Sequence, residues 1–140
     1  MNLFVVTLVA ALAAPAASPA ADVPGDRILG EWRGSSTCTN LELLPACKDE
    51  SVRYVFTAVP GAPARYHVVA DKLVAGEYQT MGEMDFDYVA AEALWVHDLH
   101  SSSCAQCRWW YRIDGAELVG GLTGQGGAAL RKVSARRHEP

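Results

Sequence analysis

The sequence predicts an all-β protein built as a single eight-stranded antiparallel up-and-down barrel. Short segments in which apolar and polar residues alternate recur along most of the chain, and tight turn signals separate them. No segment longer than one turn has a convincing helical period. An eight-strand meander closes naturally into a barrel, because closure removes the exposed strand edges. A two-sheet β-sandwich is the alternative, and we favour the barrel because most connections are of hairpin length.

The beginning of the chain has the composition of an export signal. Residues 2–14 are apolar but too short to span a bilayer, and the small residues that follow suit signal peptidase. We therefore expect an exported protein, periplasmic or extracellular, with no stable membrane anchor after cleavage. The expected divisions are a signal peptide, 1–20, a flexible leader, 21–27, a barrel domain, 28–137, and a tail, 138–140.

Composition limits the classes of partner. The 140-residue chain carries a formal net charge of −4, and a nucleic-acid-binding domain would normally be basic. We therefore expect no nucleic acid as a partner.

The first four predicted strands are marked by β-branched and aromatic residues between turn signals. Strand one, 28–36, follows a polar leader, and 50–59 places Val52, Tyr54 and Phe56 on one face by the period-2 rule. A Pro/Gly turn then precedes strand three, 65–74. In strand four, 81–89, apolar side chains alternate strictly with Glu83, Asp85 and Asp87.

The last four predicted strands are joined by short connections. Segments 93–100 and 107–113 flank a polar connection of hairpin length. Asp114 and Gly115 form the strongest hairpin signal, and the strand that follows it covers 117–123. A glycine-rich turn then leads to the final strand, 129–136.

A resemblance to a known family rests on residues at both ends of the barrel domain. Gly30 and Trp32 form a Gly-x-Trp signature on strand one, and basic residues lie on the last strand. With the export signal and the meander, this pattern resembles the lipocalin-like (calycin-type) barrels. The resemblance implies that Trp32 packs at the closed end and that a basic residue, Arg131 or Arg136, stacks over its indole ring.

Four cysteines in an exported chain predict two disulfides. Of the three pairings, we favour Cys38 with Cys47 and Cys104 with Cys107, because each pair is local. Redox chemistry at Cys104 and Cys107 is the alternative, but a redox pair normally lies at a helix N-terminus rather than in a hairpin.

The same region offers two imidazoles, His97 and His100, beside the thiols of Cys104 and Cys107. These four groups are a plausible zinc set. On a regular strand, however, residues three positions apart project to opposite faces, and export favours a disulfide over two thiolates. We therefore predict no metal site and no cofactor.

Strand alternation also predicts which side chains line an interior cavity. The candidate lining residues are Tyr54, Phe56, Met84, Phe86, Trp95 and Trp109. No motif of a nucleophilic hydrolase, a P-loop protein or a metalloprotease is found, so no catalytic residue is proposed.

The favoured function is an exported, non-enzymatic binding protein for an apolar or amphipathic small molecule. The alternative is a periplasmic protein-binding module, such as an inhibitor of secreted proteases. Small bacterial metalloprotease inhibitors are similar in being exported eight-stranded barrels with a disulfide and an early tryptophan. The resemblance implies that the N-terminal segment, here 21–27, enters the protease.

Overall fold

A computed structural model describes residues 23–140, and the predicted signal peptide lies outside the described residues. The elements are a short 3-10 helix, a second 3-10 turn and eight strands joined in one closed antiparallel barrel, each strand paired with its neighbours in sequence and the last with the first. The predicted fold class is therefore confirmed. The strands are β1 (Gly30–Cys38), β2 (Glu50–Ala58), β3 (Arg65–Val74), β4 (Glu77–Val89), β5 (Leu94–Ser101), β6 (Cys104–Asp114), β7 (Glu117–Thr123) and β8 (Ala129–His138).

The core follows the predicted period-2 alternation. Val52, Tyr54 and Phe56 of β2 are all buried. On β4, Phe86 is fully buried, while the acidic residues on either side of it face solvent. Alternation holds because only one face of each strand turns towards the barrel axis.

The N-terminal end of the domain differs from the predicted leader. Residues Pro24–Ile28 form a 3-10 helix rather than a flexible segment, and Gly25 and Ile28 within it are buried. Strand β1 therefore begins at Gly30, two residues later than predicted. At the C-terminal end, β8 continues two residues further than predicted, into the predicted tail, because His138 pairs with Glu31.

Strand β4 begins four residues earlier than predicted, at Glu77, and it contains a bulge. Ala70 pairs with Gly82 and Asp71 pairs with Thr80, so Met81 is an extra residue opposite β3. The bulge reverses the inward and outward faces of β4, which interrupts the alternation that sequence analysis relies on. On β3, Asp71 is almost fully buried and receives hydrogen bonds from Arg53 at 2.7 Å and Thr80 at 2.8 Å.

The two ends of the barrel differ in how they are covered. The 3-10 helix lies at the end formed by the starts of β1, β3, β5 and β7, which we call the closed end. The opposite end, which we call the mouth, carries the β1–β2 loop (39–49) and the β3–β4 hairpin. None of the helices in 23–140 is long and apolar enough to cross a bilayer.

Candidate ligand-binding site

The closed end is sealed by hydrogen bonds from buried aromatic side chains to the 3-10 helix. Trp32 Nε1 donates to the Ile28 carbonyl at 2.8 Å, and Trp95 Nε1 donates to the Gly25 carbonyl at 3.1 Å. The Tyr66 hydroxyl donates to Asp26 at 2.7 Å. A Cβ atom at Gly25 would overlap that hydroxyl. Residues 24–28 are therefore an integral part of the barrel.

A guanidinium stacks on Trp32, but it belongs to Arg137. Its Cζ atom lies 4.3 Å from the centre of the Trp32 ring, and its nitrogens also donate to the carbonyls of Arg27 and Leu29. The prediction of Arg131 or Arg136 for this position is wrong. Arg131 lies near the mouth, where its side chain borders the internal cavity, and Arg136 points outward and pairs with Glu117.

A cavity of about 240 Å³ occupies the mouth half of the barrel. Its walls are mainly apolar or aromatic, with a small polar group at one side. The lining residues are Ser36, Glu50, Tyr54, Val68, Ala70, Met81, Gly82, Met84, Trp109, Tyr111 and Arg131.

Three of the six predicted lining residues, Tyr54, Met84 and Trp109, lie at this cavity. The other three, Phe56, Phe86 and Trp95, lie below it in the packed core. Phe56 and Phe86 pack edge to face, and Tyr111 contacts both rings, so these side chains form the floor. Alternation identifies inward-facing residues but not their depth along the barrel.

The Arg131 guanidinium is held in place by neutral acceptors. It donates to the Ser36 hydroxyl at 2.8 Å, to the Ser36 carbonyl at 3.0 Å, to the Lys48 carbonyl at 2.9 Å and to Cys47 Sγ at 2.8 Å. Among residues 23–140, no carboxylate forms an ion pair with Arg131. The positive charge is therefore fixed at the cavity wall by neutral acceptors, while Glu50, the carboxylate among the lining residues, lies 3.7 Å from Lys72.

The two tyrosines of the cavity are neutral at ordinary pH. Their rings lie 5.6 Å apart, and burial raises the pKa of Tyr54 and raises the pKa of Tyr111 well above its ordinary value. Each hydroxyl therefore remains protonated and able to donate a hydrogen bond. Arg131 and Tyr111 were not predicted as cavity residues, although each shares the inward-facing side of its strand with buried residues.

Raised tyrosine pKa values predict a loss of stability at alkaline pH. A group that holds its proton more tightly in the folded state stabilises the fold fully below its unfolded pKa, near 10, and this contribution falls as pH rises further. We expect the free energy of unfolding to fall by about 1.4 kcal/mol per pH unit for Tyr111 alone. Urea denaturation from pH 8 to 11.5 measures this, and Tyr111→Phe should show a shallower decline. Parallel curves for the two proteins would contradict the prediction.

Both favoured disulfides are present, Cys38 with Cys47 and Cys104 with Cys107, and both lie at the mouth. The first closes the base of the β1–β2 loop, from which Leu44 packs against the buried Cys107, Leu122 and Leu130.

His97 Nδ1 is hydrogen bonded to the Asp85 carbonyl at 2.8 Å. Within residues 23–140, no group of three or more His, Cys, Asp and Glu side chains is placed to hold a metal ion.

These features define the class of fold. A closed eight-stranded meander, a tryptophan at the closed end beneath an arginine of the last strand, and a cavity at the mouth form a lipocalin-like, calycin-type barrel.

Solved structures of the fluorescent protein UnaG share this fold at low sequence identity. A point mutant of the fluorescent protein UnaG superimposes with a TM-score of 0.55 and 14% identity, covering 82% of this chain and 99% of that one. A second UnaG mutant gives 0.53 and 13%, covering 80% and 96%. The siderocalin Ex-FABP gives only 0.37 and 13%, covering 79% and 70%. No protein-family model and no curated protein sequence matches the chain.

Proposed function

We propose that this protein is an exported, non-enzymatic carrier of a small amphipathic molecule with an apolar body and an anionic end. The observation that carries the proposal is the Arg131 guanidinium, fixed by neutral acceptors at the wall of a mainly apolar cavity. The carboxylate of the same cavity, Glu50, lies 3.7 Å from Lys72 and forms no ion pair with Arg131. A buried or half-buried cation is stabilised by an anion, and charge-assisted hydrogen bonds to it are strong. The Tyr54 and Tyr111 hydroxyls provide further donors.

The size of the cavity restricts the ligand. Its volume of about 240 Å³ lies just below the range of roughly 300–1,000 Å³ that is typical of pockets for drug-sized ligands. A single aromatic ring or a medium-length alkyl chain that carries a carboxylate fits this description better than a large polycyclic ligand.

Export is supported by the composition of residues 1–20 and by the two disulfides, which persist in oxidising compartments. The protease-inhibitor alternative receives no support. The segment that would enter the protease is largely built into this barrel, since Gly25 and Asp26 bond to Trp95 and Tyr66.

The charge preference is tested with a matched pair of ligands, decanoic acid and decanol. We expect the mature protein to bind the acid at least tenfold more tightly than the alcohol, because only the carboxylate can pair with Arg131. In Arg131→Gln this preference should disappear, while decanol binding changes little. Titration calorimetry measures both affinities. Equal affinity of the native protein for acid and alcohol would overturn the proposed role of Arg131.

The location of the ligand is tested at Gly82. A Cβ atom there would meet nothing within 4 Å, so Gly82→Phe should place its ring in open space at the cavity without displacing the backbone. We expect decanoic acid binding to fall at least tenfold, while the urea midpoint stays unchanged. The control is Gly82→Ala, which should bind decanoic acid as the native protein does. Gly76→Ala, in the hairpin turn, would not serve as a control because the φ angle of Gly76 is +84°. Unimpaired binding by Gly82→Phe would place the ligand elsewhere.

A further inference from the structure

Large exposed apolar side chains are concentrated at the mouth. Six such residues are exposed within 23–140, and five of them lie on the β1–β2 loop or beside the β3–β4 hairpin. Their exposed fractions range from 37% to 59%. We call this set the apolar rim, and it consists of Leu41, Leu43, Leu73, Val74 and Met81. The sixth, Val23, precedes the 3-10 helix at the closed end.

The rim residues lie on two sides of the mouth. Leu43, on the β1–β2 loop, lies beside the start of β6 and the turn between β7 and β8, whereas Leu73, Val74 and Met81 lie on β3 and β4. Met81 belongs both to the rim and to the cavity wall. The rim therefore borders the opening of the cavity.

The charges around the apolar rim exclude strong attraction to an anionic surface. The segments 39–50 and 72–81 carry the bases Lys48 and Lys72 against four acids. Lys72 lies 3.7 Å from Glu50, so one of the two bases is already paired with an acid. A surface that binds anionic lipid or an acidic protein would instead carry an excess of lysine and arginine.

The area and composition of the rim argue against a second copy or another folded protein. The five side chains expose roughly 500 Å², whereas a stable interface needs about 800 Å² on each partner. Four of the five are aliphatic, and none is an aromatic residue or arginine, the residue types that dominate protein interfaces.

We propose that the apolar rim inserts into the surface of a zwitterionic lipid bilayer, so that the mouth of the barrel faces the membrane. Flexible aliphatic side chains on two segments of the same barrel end can enter the acyl boundary without needing a complementary shape. The β1–β2 loop is suited to this contact because the Cys38–Cys47 disulfide closes its base, while Leu44 anchors it to the barrel. The proposal concerns a surface distinct from the cavity and does not depend on the charge of its ligand.

The experiment measures flotation of the mature protein with phosphatidylcholine vesicles at about 1 mM lipid. The test variant is Leu41→Ser with Leu73→Ser, and the matched control is Val23→Ser at the closed end. We expect native protein and control to float with the vesicles, and the double variant to bind at least tenfold more weakly. Added salt or anionic lipid should not strengthen binding, because the contact is apolar.

Three results would overturn the proposal. They are an absence of vesicle binding by the native protein, equal binding by the double variant, and a concentration-dependent dimer in sedimentation that the double variant loses. All substituted residues are exposed, so the urea midpoints of the three proteins should agree. Decanoic acid binding in solution should survive in the double variant, which separates this test from that of the proposed function.

Discussion

Replacing Trp32 with alanine should lower the free energy of unfolding by about 3–5 kcal/mol, the range for removal of a large buried aromatic side chain. Trp32 is 2% exposed, lies beneath Arg137 and donates to the Ile28 carbonyl. Its loss leaves a cavity at the closed end and removes one of the hydrogen bonds that hold the 3-10 helix. Urea denaturation followed by circular dichroism measures the change.

Two further variants separate the contributions of Trp32. Trp32→Phe keeps a ring under Arg137 but removes the Nε1 donor, so we expect a smaller loss of about 1–2 kcal/mol. Trp110→Ala serves as the control, because Trp110 is only half-buried, and it should cost less than Trp32→Ala. If the free energy of unfolding of Trp32→Ala were within about 1 kcal/mol of that of the native protein, the Trp32 indole would not be a major source of stability at the closed end.

Gly34→Ala should destabilise the barrel by about 3 kcal/mol or prevent folding. Gly34 lies on β1 and pairs with Val52 on one side and Ala135 on the other. A Cβ atom at this position would overlap the carbonyl oxygen of Ser134 and the Cα of Ala135. Both are backbone atoms of β8, so the first and last strands would have to separate where the barrel closes.

Gly82→Ala is the matched control for this prediction. Both residues are strand glycines without a positive φ, but a Cβ at Gly82 meets no atom within 4 Å. Thermal unfolding of the two variants should therefore differ widely, with Gly82→Ala close to the native protein. Similar midpoints would mean that β8 can shift to accommodate the methyl group at Gly34.

The features that could be predicted from the sequence are the strand alternation and the turns with a local residue signal. The alternation that buries Tyr54 and Phe56 and the turn at Gly115, whose φ is +59°, both follow from local chemistry. The two arginines predicted to stack on Trp32 failed for different reasons. Arg136 lies on the opposite face of β8 from Arg137 and the buried Ala135. Arg131 shares that inward face, but it lies near the mouth rather than at the closed end.

Other features had no signal in the sequence. A five-residue 3-10 helix is too short to show a period, so the cap of the closed end looked like a leader. The bulge at Met81 changes which residues of β4 face inward, and no residue pattern within the strand predicts the bulge. The division of inward-facing residues between floor and cavity depends on depth along the barrel, which period-2 reasoning does not measure.

One seam of the wall is much shorter than the others. Strand β4 pairs with β5 only from Asp87 to Val89, so the mouth-side halves of these two strands have no ladder between them. Beside that gap the bulge bends β4, and Gly82 leaves open space next to the cavity. The β4–β5 ladder therefore has the fewest paired residues of the eight, and we expect these two strands to separate before any other neighbouring pair when the barrel opens locally.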